Sequence, residues 1–413
     1  MLVQSSTMGD AVSNCKLFKD FWVFAFFVPM LTILLTPFEQ AQAQPTNVTN
    51  EEGIIRVGPS RDIKTLANAA RAARNGDVIE VDAGDYLGDV AIWQQSNLTL
   101  RAVGGRVRLI ASGENAEGKG IWVLRGGQIS VDGFDFIGAQ VSDRNGAGIR
   151  LEKGSLTVTN CGFWENENGI LTSNNSDVVL KISNSEFGHN GAGDGQSHNL
   201  YVGGIKHLHV SGSYFHHARV GHLLKSRAAE NFVLYNRLVD GAKGEASYEL
   251  EFPSGGVAYV VGNVIEQAPT TENFHLISFG AEGLAWPKNE LYLVNNTLVD
   301  RWAEGGVFLR VKAGTGAVYA VNNLLLGKGK LDSAGPGEYS NNINIDGGEF
   351  VNLSGQDYRL KATSRLLGKA VVPKRQNDVD LKPSREYVHP RNTRVINAQP
   401  FNPGAMQSVG SRS

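Results

Sequence analysis

The sequence VDGFDF at residues 131–136 begins a pattern that decides the fold, because related six-residue copies return along the chain. In each copy an alternating strand reaches Asn or Gly, and an apolar residue follows three positions later. The copies are VTNCGF (158–163), ISNSEF (182–187), VSGSYF (210–215), LYNRLV (234–239), VVGNVI (260–265), LVNNTL (293–298) and AVNNLL (320–325). A repeat of about 26 residues with short strands and no helices between them predicts a solenoid.

The repeated Asn or Gly predicts how the coils turn. The marked positions are Gly133, Asn160, Asn184, Gly212, Asn236, Gly262, Asn295 and Asn322. Asn and Gly tolerate the left-handed conformation that a tight turn requires. Asn side chains stacked coil on coil can also bond to one another and to the backbone. We therefore expect parallel strands joined by turns that carry an asparagine ladder.

The amino-acid composition is typical of an all-β chain and limits the kinds of binding partner that are expected. The 49 glycines against 13 prolines indicate many turns within an ordered chain. The 41 acidic and 39 basic residues nearly cancel, so neither nucleic acid nor a strongly anionic membrane is expected as a partner. A polar or neutral ligand remains compatible with this balance, and an acidic polymer would need a local basic patch.

The N-terminus has the features of a secretory signal peptide. Two lysines precede the apolar run Phe21–Leu35, and the small-residue pattern AQA follows at residues 41–43. The run is shorter than the roughly 20 residues of a membrane-spanning helix. We predict a signal peptide over residues 1–43, a linker over residues 44–53, and a secreted or periplasmic protein without a membrane span after processing.

A short amphipathic helix is predicted before the repeats. The segment opened by SRD at residues 60–62 continues as IKTLANAARAARNGD, which places Ile63, Leu66, Ala70 and Ala73 on one face. So short a helix is marginal alone and needs an apolar surface to cover. The strand DVIEVDAGDY at residues 77–86 follows directly, so the helix is expected to cap the end of the solenoid.

These features together resemble the right-handed parallel β-helix proteins of the pectin lyase-like superfamily. The resemblance covers about Ile54 to Gly327, and DYRL at residues 357–360 and the PRN to NPGAM region (390–406) extend it. It implies an all-β right-handed parallel β-helix over residues 54–364 with a short N-terminal capping helix, and a closing segment or tail over residues 365–413. The superfamily includes lyases, hydrolases and binding proteins, so the fold alone does not assign a function.

A second set of strands aligns across the coils on an apolar second position. The aligned residues are Ile149, Ile170, Leu200, Leu223, Leu250, Leu276 and Leu309. If they face inward, their neighbours face outward. Asn199, His222, Glu249 and His275 then form an outward polar column about 14 Å long, since adjacent strands lie about 4.8 Å apart. This column is a candidate binding surface for a polysaccharide or oligosaccharide.

Lys225 breaks the alternation of its strand. Counted from Leu223 it would face inward, where an unpaired ammonium costs several kcal/mol. We therefore expect the strand to end at Leu224 and Lys225 to lie in the turn beside the column. The segment GHLLKSRAAEN (221–231) is similar to the one that bears the catalytic lysine in the chondroitinase B and alginate lyase family.

That resemblance extends to Lys225 alone. The family places two calcium-binding glutamates before the lysine and an arginine in the next coil. Here Ala218 and Val220 lie near the glutamate positions, and Glu251 lies near the arginine position. Any lyase site in this chain must therefore be assembled differently.

A lyase acting on a uronic-acid polymer neutralises the sugar carboxylate, removes the C5 proton and protonates the leaving oxygen. In this sequence Lys225 is the predicted base and Arg227 the carboxylate partner, and either His222 or Tyr201 is the predicted acid. Glu249 and Glu251 form the predicted metal site, because carboxylate oxygens suit Ca²⁺.

The predicted substrate-binding residues surround this centre. Asp194 and His198 are expected on a long loop overhanging the column, where functional residues often collect. Asn199 and His275 are expected to contact the polysaccharide from the column itself. A set of six histidines suggests a metal site, but no compact ligand spacing supports one: His189, His198, His216, His217, His222 and His275.

Two other functions stay open from the sequence. Glu249 and Glu251 lie on one strand face at a separation near that of a glycoside hydrolase pair, which allows a hydrolase. A non-catalytic β-helix that binds glycans or serves as a surface structural protein needs no complete catalytic set. The concentration of His, Lys, Arg and Glu in one band favours the lyase.

Overall fold

The apolar repeats form parallel strands that stack coil on coil. A computed structural model describes residues 53–271, 273–331, 335–397 and 401–410. The predicted signal peptide and nearly all of the predicted linker lie outside these residues. The predicted all-β class and right-handed parallel β-helix are confirmed, with about ten coils and a short helix at the N-terminal end.

One side of the solenoid is a ten-stranded parallel sheet with one strand from each coil. Its strands, in order along the axis, are Ala91–Trp93, Gly120–Leu124, Ala147–Leu151, Asn168–Thr172, Leu200–Val202, His222–Ser226, Tyr248–Phe252, His275–Phe279, Val307–Val311 and Lys330–Leu331. Each strand pairs in parallel with the corresponding strand of the next coil.

The other sides belong to a twenty-one-stranded parallel sheet with two ladders. The first ladder contains Ile54–Val57, Gln128–Asp132, Ser155–Thr159, Val179–Ser183, His207–Ser211, Glu230–Leu234, Val257–Val261, Glu290–Val294, Ala317–Val321 and Gly337–Ser340. The second contains Phe134–Ile137, Gly162–Trp164, Glu186–Gly188, Tyr214–His216, Arg237–Val239, Val264–Gln267, Thr297–Asp300, Leu324–Leu326 and Ile343–Asn344. The long strands Val78–Leu87 and Leu98–Ile110 pass through both ladders.

The interior is a column of stacked apolar side chains. Phe136, Phe163, Phe187 and Phe215 occupy one position on four successive coils, with ring centroids 4.5–5.1 Å apart and no exposed surface. Burying each ring stabilises the fold by about 1.5–3 kcal/mol, and the stacking adds to this. Because each coil covers the next, the core is continuous along the solenoid.

An asparagine ladder forms at the turn between the two ladders of the large sheet, but most of its members lie one residue after the marked positions. Asn236, Asn263, Asn296, Asn323 and Asn342 succeed one another, and each Oδ1 accepts the backbone N–H and the amide of the preceding member at 2.7–3.2 Å. These bonds satisfy the polar groups that the turn buries.

In the coils of the asparagine ladder, the turn residue with the left-handed backbone directly precedes the asparagine that belongs to the ladder. Seven of the eight predicted positions have positive φ, among them Asn295 at 53° and Asn322 at 62°. The exception is the coil of Asn236, where Tyr235 has φ 56° and Asn236 is a ladder member. The copy at residues 234–239 was therefore aligned with the other copies one residue out of register. The hydrophobic pattern fits both alignments and did not show the difference.

The capping helix spans Leu66–Ala72 and begins later than predicted. Thr65 is its N-cap, and the Thr65 hydroxyl accepts the N–H of Asn68 at 3.2 Å. The buried Asp89 carboxylate accepts the N–H groups of Leu66 and Ala67 at 2.6 and 3.0 Å. These acceptors satisfy the free N–H groups of the first turn, so the helix starts there.

The C-terminal segment, predicted as a closing segment or tail over residues 365–413, runs back along the side of the solenoid. Val371 bonds to Asn322, Asn377 to Tyr292 and Tyr259, and Ser384 to Tyr235, each on an earlier coil than the last. Its local elements are the antiparallel strands Arg385–Val388 and Asn392–Val395. Just before the segment lie a 3-10 helix, Gly347–Glu349, and the antiparallel pair Phe350–Asn352 with Asp357–Leu360. Hydrogen bonds to the hydroxyls of outward tyrosines, among them Tyr235, Tyr259 and Tyr292, hold the segment against the side of the solenoid.

The register of the ten-stranded sheet differs from the predicted alignment at two coils. Leu200 pairs with Leu224, Leu224 with Leu250, and Leu250 with Ile277, so Leu223 and Leu276 were each aligned one residue too early. In these coils two consecutive residues face the core, since Leu223 and Leu224 both have no exposed surface. The second of the two residues, not the first, pairs with the leucine of the next strand. The side chains that follow therefore alternate one residue out of step with the predicted pattern.

Candidate functional site

The shifted alternation places Tyr201, Lys225 and Glu251 side by side on the outer face of the ten-stranded sheet. Lys225 lies within the strand His222–Ser226, so the prediction that the strand ends at Leu224 is wrong. Its ammonium is not buried unpaired: Nζ is 3.2 Å from Oε2 of Glu251 and 3.1 Å from Oε1 of Glu282. The turn was predicted to avoid the cost of burying an unpaired ammonium. Because Lys225 faces outward and pairs with two carboxylates, the strand can continue without that cost.

Arg227 follows the strand and connects Tyr201 to the same glutamate. Its Nη1 donates to the Tyr201 hydroxyl at 2.9 Å, and its Nε and Nη2 donate to the carboxylate of Glu282 at 2.7–3.2 Å. The indole N–H of Trp286 donates to the Arg227 carbonyl at 3.0 Å, which holds this turn in place. The guanidinium also lies over the Tyr201 ring, 5.2 Å from its centroid.

Glu282 therefore joins two cations while remaining 48% exposed. Partial burial opposes ionisation of its carboxyl, but the hydrogen bonds and charges of Arg227 and Lys225 lower its pKa overall. It is the exposed member of a surface ion-pair network, and such contacts exchange easily with solvent or with another anion.

Beneath this network lies a buried layer of histidines. His222 Nε2 is 2.9 Å from Oε2 of Glu251, and the backbone N–H of His222 donates to Nδ1 of His198 at 3.0 Å. Burial lowers the pKa of both imidazoles, although Glu251 opposes the shift at His222. Burial likewise opposes ionisation of Glu251, but His222 and Lys225 lower its pKa. His222 thereby positions Glu251 instead of facing a ligand, and His198 accepts from the His222 backbone.

Several predicted substrate-binding residues are placed elsewhere. His198 has only 1% of its surface exposed and Asn199 none, which corrects their assignment to the outer surface. The amide of Asn199 instead accepts from Asn190 at 2.8 Å and donates to the His216 carbonyl at 2.8 Å, a structural role in the core. Asp194 does lie in an exposed loop and accepts the N–H of Gln196 at 2.9 Å.

Glu249 is the largest departure from the sequence-based site. It faces the interior and is 1% exposed. On the two neighbouring strands the corresponding inward positions are occupied by Leu223 and Leu276. Among the described residues, neither carboxylate oxygen has a hydrogen-bond partner. Burial raises the pKa of Glu249 well above its usual value, and neighbouring acids such as Asp240 add to this.

This placement removes two predictions. Glu249 and Glu251 do not converge on one point, because one faces the core and the other faces the surface. The pair does not fit the predicted Ca²⁺ site, and Glu251 is already bound to His222 and Lys225. The hydrolase that would use these two glutamates is wrong for the same reason, since a sugar cannot reach Glu249.

An aromatic surface extends from the cationic centre along the next coils. Tyr248 and His275 lie on adjacent strands with ring centroids 6.2 Å apart, and Phe274 stacks on Trp302 at 5.5 Å. Phe274 is 42% exposed, which is unusual for a phenylalanine in a solenoid with so complete a core. Aromatic faces of this kind pack well against apolar faces of sugar rings.

Glu282 and the aromatic Phe274 were missed by sequence reasoning. Glu282 lies 57 residues from Lys225 and 55 from Arg227 along the chain, within a short loop of small residues. No local pattern marks it, because its role comes only from the stacking of two coils.

Comparison with known proteins supports the architecture. The crystal structure of pectate lyase Pel9A is similar, with a TM-score of 0.50 and 13% sequence identity, over 86% of this chain and 96% of that chain. At that identity the similarity shows the fold alone: both chains are parallel β-helices. No protein-family model matches the sequence, and no curated protein matches it. No helix among the described residues is long and apolar enough to cross a membrane.

Proposed function

We propose that this protein is a polysaccharide lyase that cleaves a uronic-acid-containing polymer by β-elimination at the surface formed by Tyr201, Lys225 and Arg227. One observation carries the proposal: Lys225 and Arg227 converge on a single exposed carboxylate, that of Glu282. A carboxylate in this position is what a bound uronate would present. The structural neighbour, by its name a pectate lyase, is compatible with a substrate of this kind.

Exchange of Glu282 for a sugar carboxylate costs little in electrostatics. The incoming group has the same charge and can accept the same forked hydrogen bonds from Arg227. Glu251 remains behind Lys225 throughout, since it is held by His222 at 2.9 Å. With the sugar carboxylate held by Arg227 and Glu282 displaced, Glu251 is the remaining carboxylate partner of Lys225, and Nζ can approach C5.

The elimination follows from these positions. The neutral Lys225 amine takes the C5 proton, the C4–C5 double bond forms, and the bond from C4 to the glycosidic oxygen breaks. The Tyr201 hydroxyl gives its proton to the leaving oxygen. Arg227, whose Nη1 is 2.9 Å from that hydroxyl, stabilises the phenolate that results. Lys225 thus has the role that resemblance to the chondroitinase B and alginate lyase family implies.

Between the two predicted acids, Tyr201 is the better candidate. His222 is 5% exposed, and its Nε2 faces Glu251 rather than the surface. We assign it the role of a positioning residue that acts through Glu251. No Ca²⁺ step enters the mechanism, because Glu249 is not available as a ligand.

The polymer is proposed to lie along the solenoid axis, across Tyr248, His275 and the Phe274–Trp302 pair. The strand of His275 is two coils from that of Lys225, or about 10 Å at 4.8 Å per coil. Secretion into the periplasm or the medium would bring the protein to such a polymer. N-terminal sequencing of exported protein tests this, with a start near Gln44 expected.

The decisive experiment separates catalysis from binding. Polygalacturonate, alginate and chondroitin are incubated with the protein, with Ca²⁺ or with a chelator, and ultraviolet absorbance reports the unsaturated product. Lys225→Arg keeps the positive charge but removes an amine able to act as base. We expect turnover to fall at least a thousandfold while polymer binding persists.

The matched control is Lys312→Arg, a change at an exposed lysine on the same side of the fold. Retained turnover in Lys225→Arg would mean that Lys225 acts only through its charge. Polymer binding without product from the wild-type protein would instead favour the non-catalytic glycan-binding alternative.

A further inference from the structure

A group of three histidines lies outside the proposed lyase centre, where strands of the second ladder end. His189 and His217 follow the paired residues Gly188 and His216, so they occupy corresponding positions on successive coils. Both have a left-handed backbone, with φ 57° and 47°, which turns their side chains to the same side. Their rings stack with centroids 4.8 Å apart, and the His216 ring lies edge-on to both.

The ring nitrogens are close enough to share one ion. One ligand nitrogen from each histidine lies within 4.8 Å of the others. Tetrahedral zinc with bonds of about 2.05 Å places its nitrogens roughly 3.4 Å apart. Nδ1 of His216 and Nδ1 of His217 are 2.7 Å apart, so they would separate by about 0.7 Å on binding a metal at that spacing. His189, which is exposed, can rotate to meet them.

A carboxylate lies beside the buried member of the group. Oε1 of Glu186 is 3.4 Å from Nε2 of His216. If His217 donates the shared proton, His216 keeps its own proton on Nε2, facing Glu186, and its Nδ1 lone pair accepts from His217. When a metal replaces this hydrogen bond, the His217 proton moves to Nε2 of its own ring, and both Nδ1 lone pairs can bind the ion. The opposite tautomer would direct a lone pair at the carboxylate. Glu186 therefore favours the form in which His216 Nδ1 is a metal ligand, as carboxylates do beside metal-bound histidines.

Two glycines make room for the rings. A Cβ atom on Gly188 would overlap the imidazole of His216, with which it is paired, and a Cβ on Gly241 would lie 2.7 Å from Nε2 of His217. Burial lowers the pKa of His217 to about 4 and that of His189 below its usual value, and charge repulsion within the cluster adds to both shifts. Neutral imidazoles are the form that binds metals.

We propose that His189, His216 and His217 bind one divalent transition metal ion, with Zn²⁺ as the expected ion, and that Glu186 positions His216 for this role. Imidazole sets suit Zn²⁺, whereas Ca²⁺ and Mg²⁺ prefer oxygen ligands. Three protein ligands leave one tetrahedral position open to water or to an anionic ligand. This site is independent of the proposed lyase chemistry.

Direct metal titration tests the site. The full-length protein is freed of metal by dialysis against a chelator and titrated with Zn²⁺ by calorimetry, and Co²⁺ is used to obtain a visible absorption spectrum. We expect one ion per chain. His189→Ala and His217→Ala should each weaken binding at least a hundredfold, and Glu186→Gln should weaken it tenfold to a hundredfold.

His209→Ala is the matched control, because His209 also stacks beside another histidine, His207, on the solenoid surface. In the part of the chain that the structure describes, this pair belongs to no group of three possible metal ligands. It should bind Zn²⁺ as the wild type does. The test rests on His189 and His217 because neither contributes to the apolar core, and circular dichroism checks their folding. Three results would each overturn the proposal. The wild type would bind no stoichiometric Zn²⁺, or the His189→Ala and His217→Ala variants would bind it as tightly as the wild type, or His209→Ala would lose as much affinity as they do.

Discussion

Replacement of Glu249 by leucine should stabilise the protein, although it removes a charged residue from the predicted site. Leu223 and Leu276 lie on the same inward column in the neighbouring coils, and leucine has a similar volume to glutamate. The wild-type carboxyl is buried with no partner for either oxygen among the described residues. A buried polar group without a partner costs about 1–3 kcal/mol, and this cost disappears in Glu249→Leu.

The gain should depend on pH in a defined direction. Burial raises the folded-state pKa of Glu249 above its unfolded value of about 4.3. Below that unfolded value both states are protonated and the carboxyl adds no pH dependence. As pH rises toward the folded-state pKa, the unfolded state releases its proton while the folded state retains it, so wild-type stability falls. The difference between Glu249→Leu and the wild type should therefore widen from pH 4 to pH 8.

Equilibrium unfolding in urea measures the effect. With a slope of about 3 kcal/mol per molar, a gain of about 1–3 kcal/mol moves the midpoint up by roughly 0.3–1 M. Glu249→Gln removes the ionisation but keeps an unpaired polar group, so it should flatten the pH dependence with a smaller gain at pH 4. Glu251→Leu, which breaks the contacts with His222 and Lys225, should destabilise. A Glu249→Leu variant less stable than wild type at pH 8, or a difference that stays constant with pH, would refute the reasoning.

Three further outcomes are expected. Leu250→Asp and Ile277→Asp should each cost several kcal/mol, because both residues have no exposed surface and pair with each other, whereas exposed Arg310→Ala should be nearly neutral; a mild Ile277→Asp in thermal melts would contradict the observed register. Glu282→Gln should strengthen binding of uronate oligosaccharides severalfold in low salt, since a competing carboxylate leaves Lys225 and Arg227; weaker binding by calorimetry would count against exchange at this position. Asn263→Ala should lower stability by about 1–3 kcal/mol, because it removes one member of the ladder and leaves the buried N–H of the preceding asparagine without its acceptor; unchanged urea unfolding would show that the ladder contributes little.

The stacking of coils explains why only part of the site could be predicted from the sequence. Tyr201, Lys225 and Arg227 were identified because polar residues within an apolar strand need a reason to be there. Their partner Glu282 could not be identified, since it lies in a loop of another coil and has no periodic neighbour. The histidine cluster was dismissed for want of a compact ligand spacing, yet coil stacking brings His189 to within a few ångströms of His217.

The sequence by itself determined the solenoid. A repeat of about 26 residues with Asn or Gly at each turn admits few folds, because each coil can bury its apolar side chains only against the next one. The tertiary structure alone decided the register of the ten-stranded sheet. Two adjacent leucines are equally apolar, so Leu223 and Leu224 cannot be told apart by pattern, and packing chose the one that pairs. In these strands two consecutive residues face the core, such as Glu249 and Leu250, so the alternation restarts one residue later than the pattern predicts. Glu249 therefore lies inside, whereas Lys225 and Glu251 lie on the outer face.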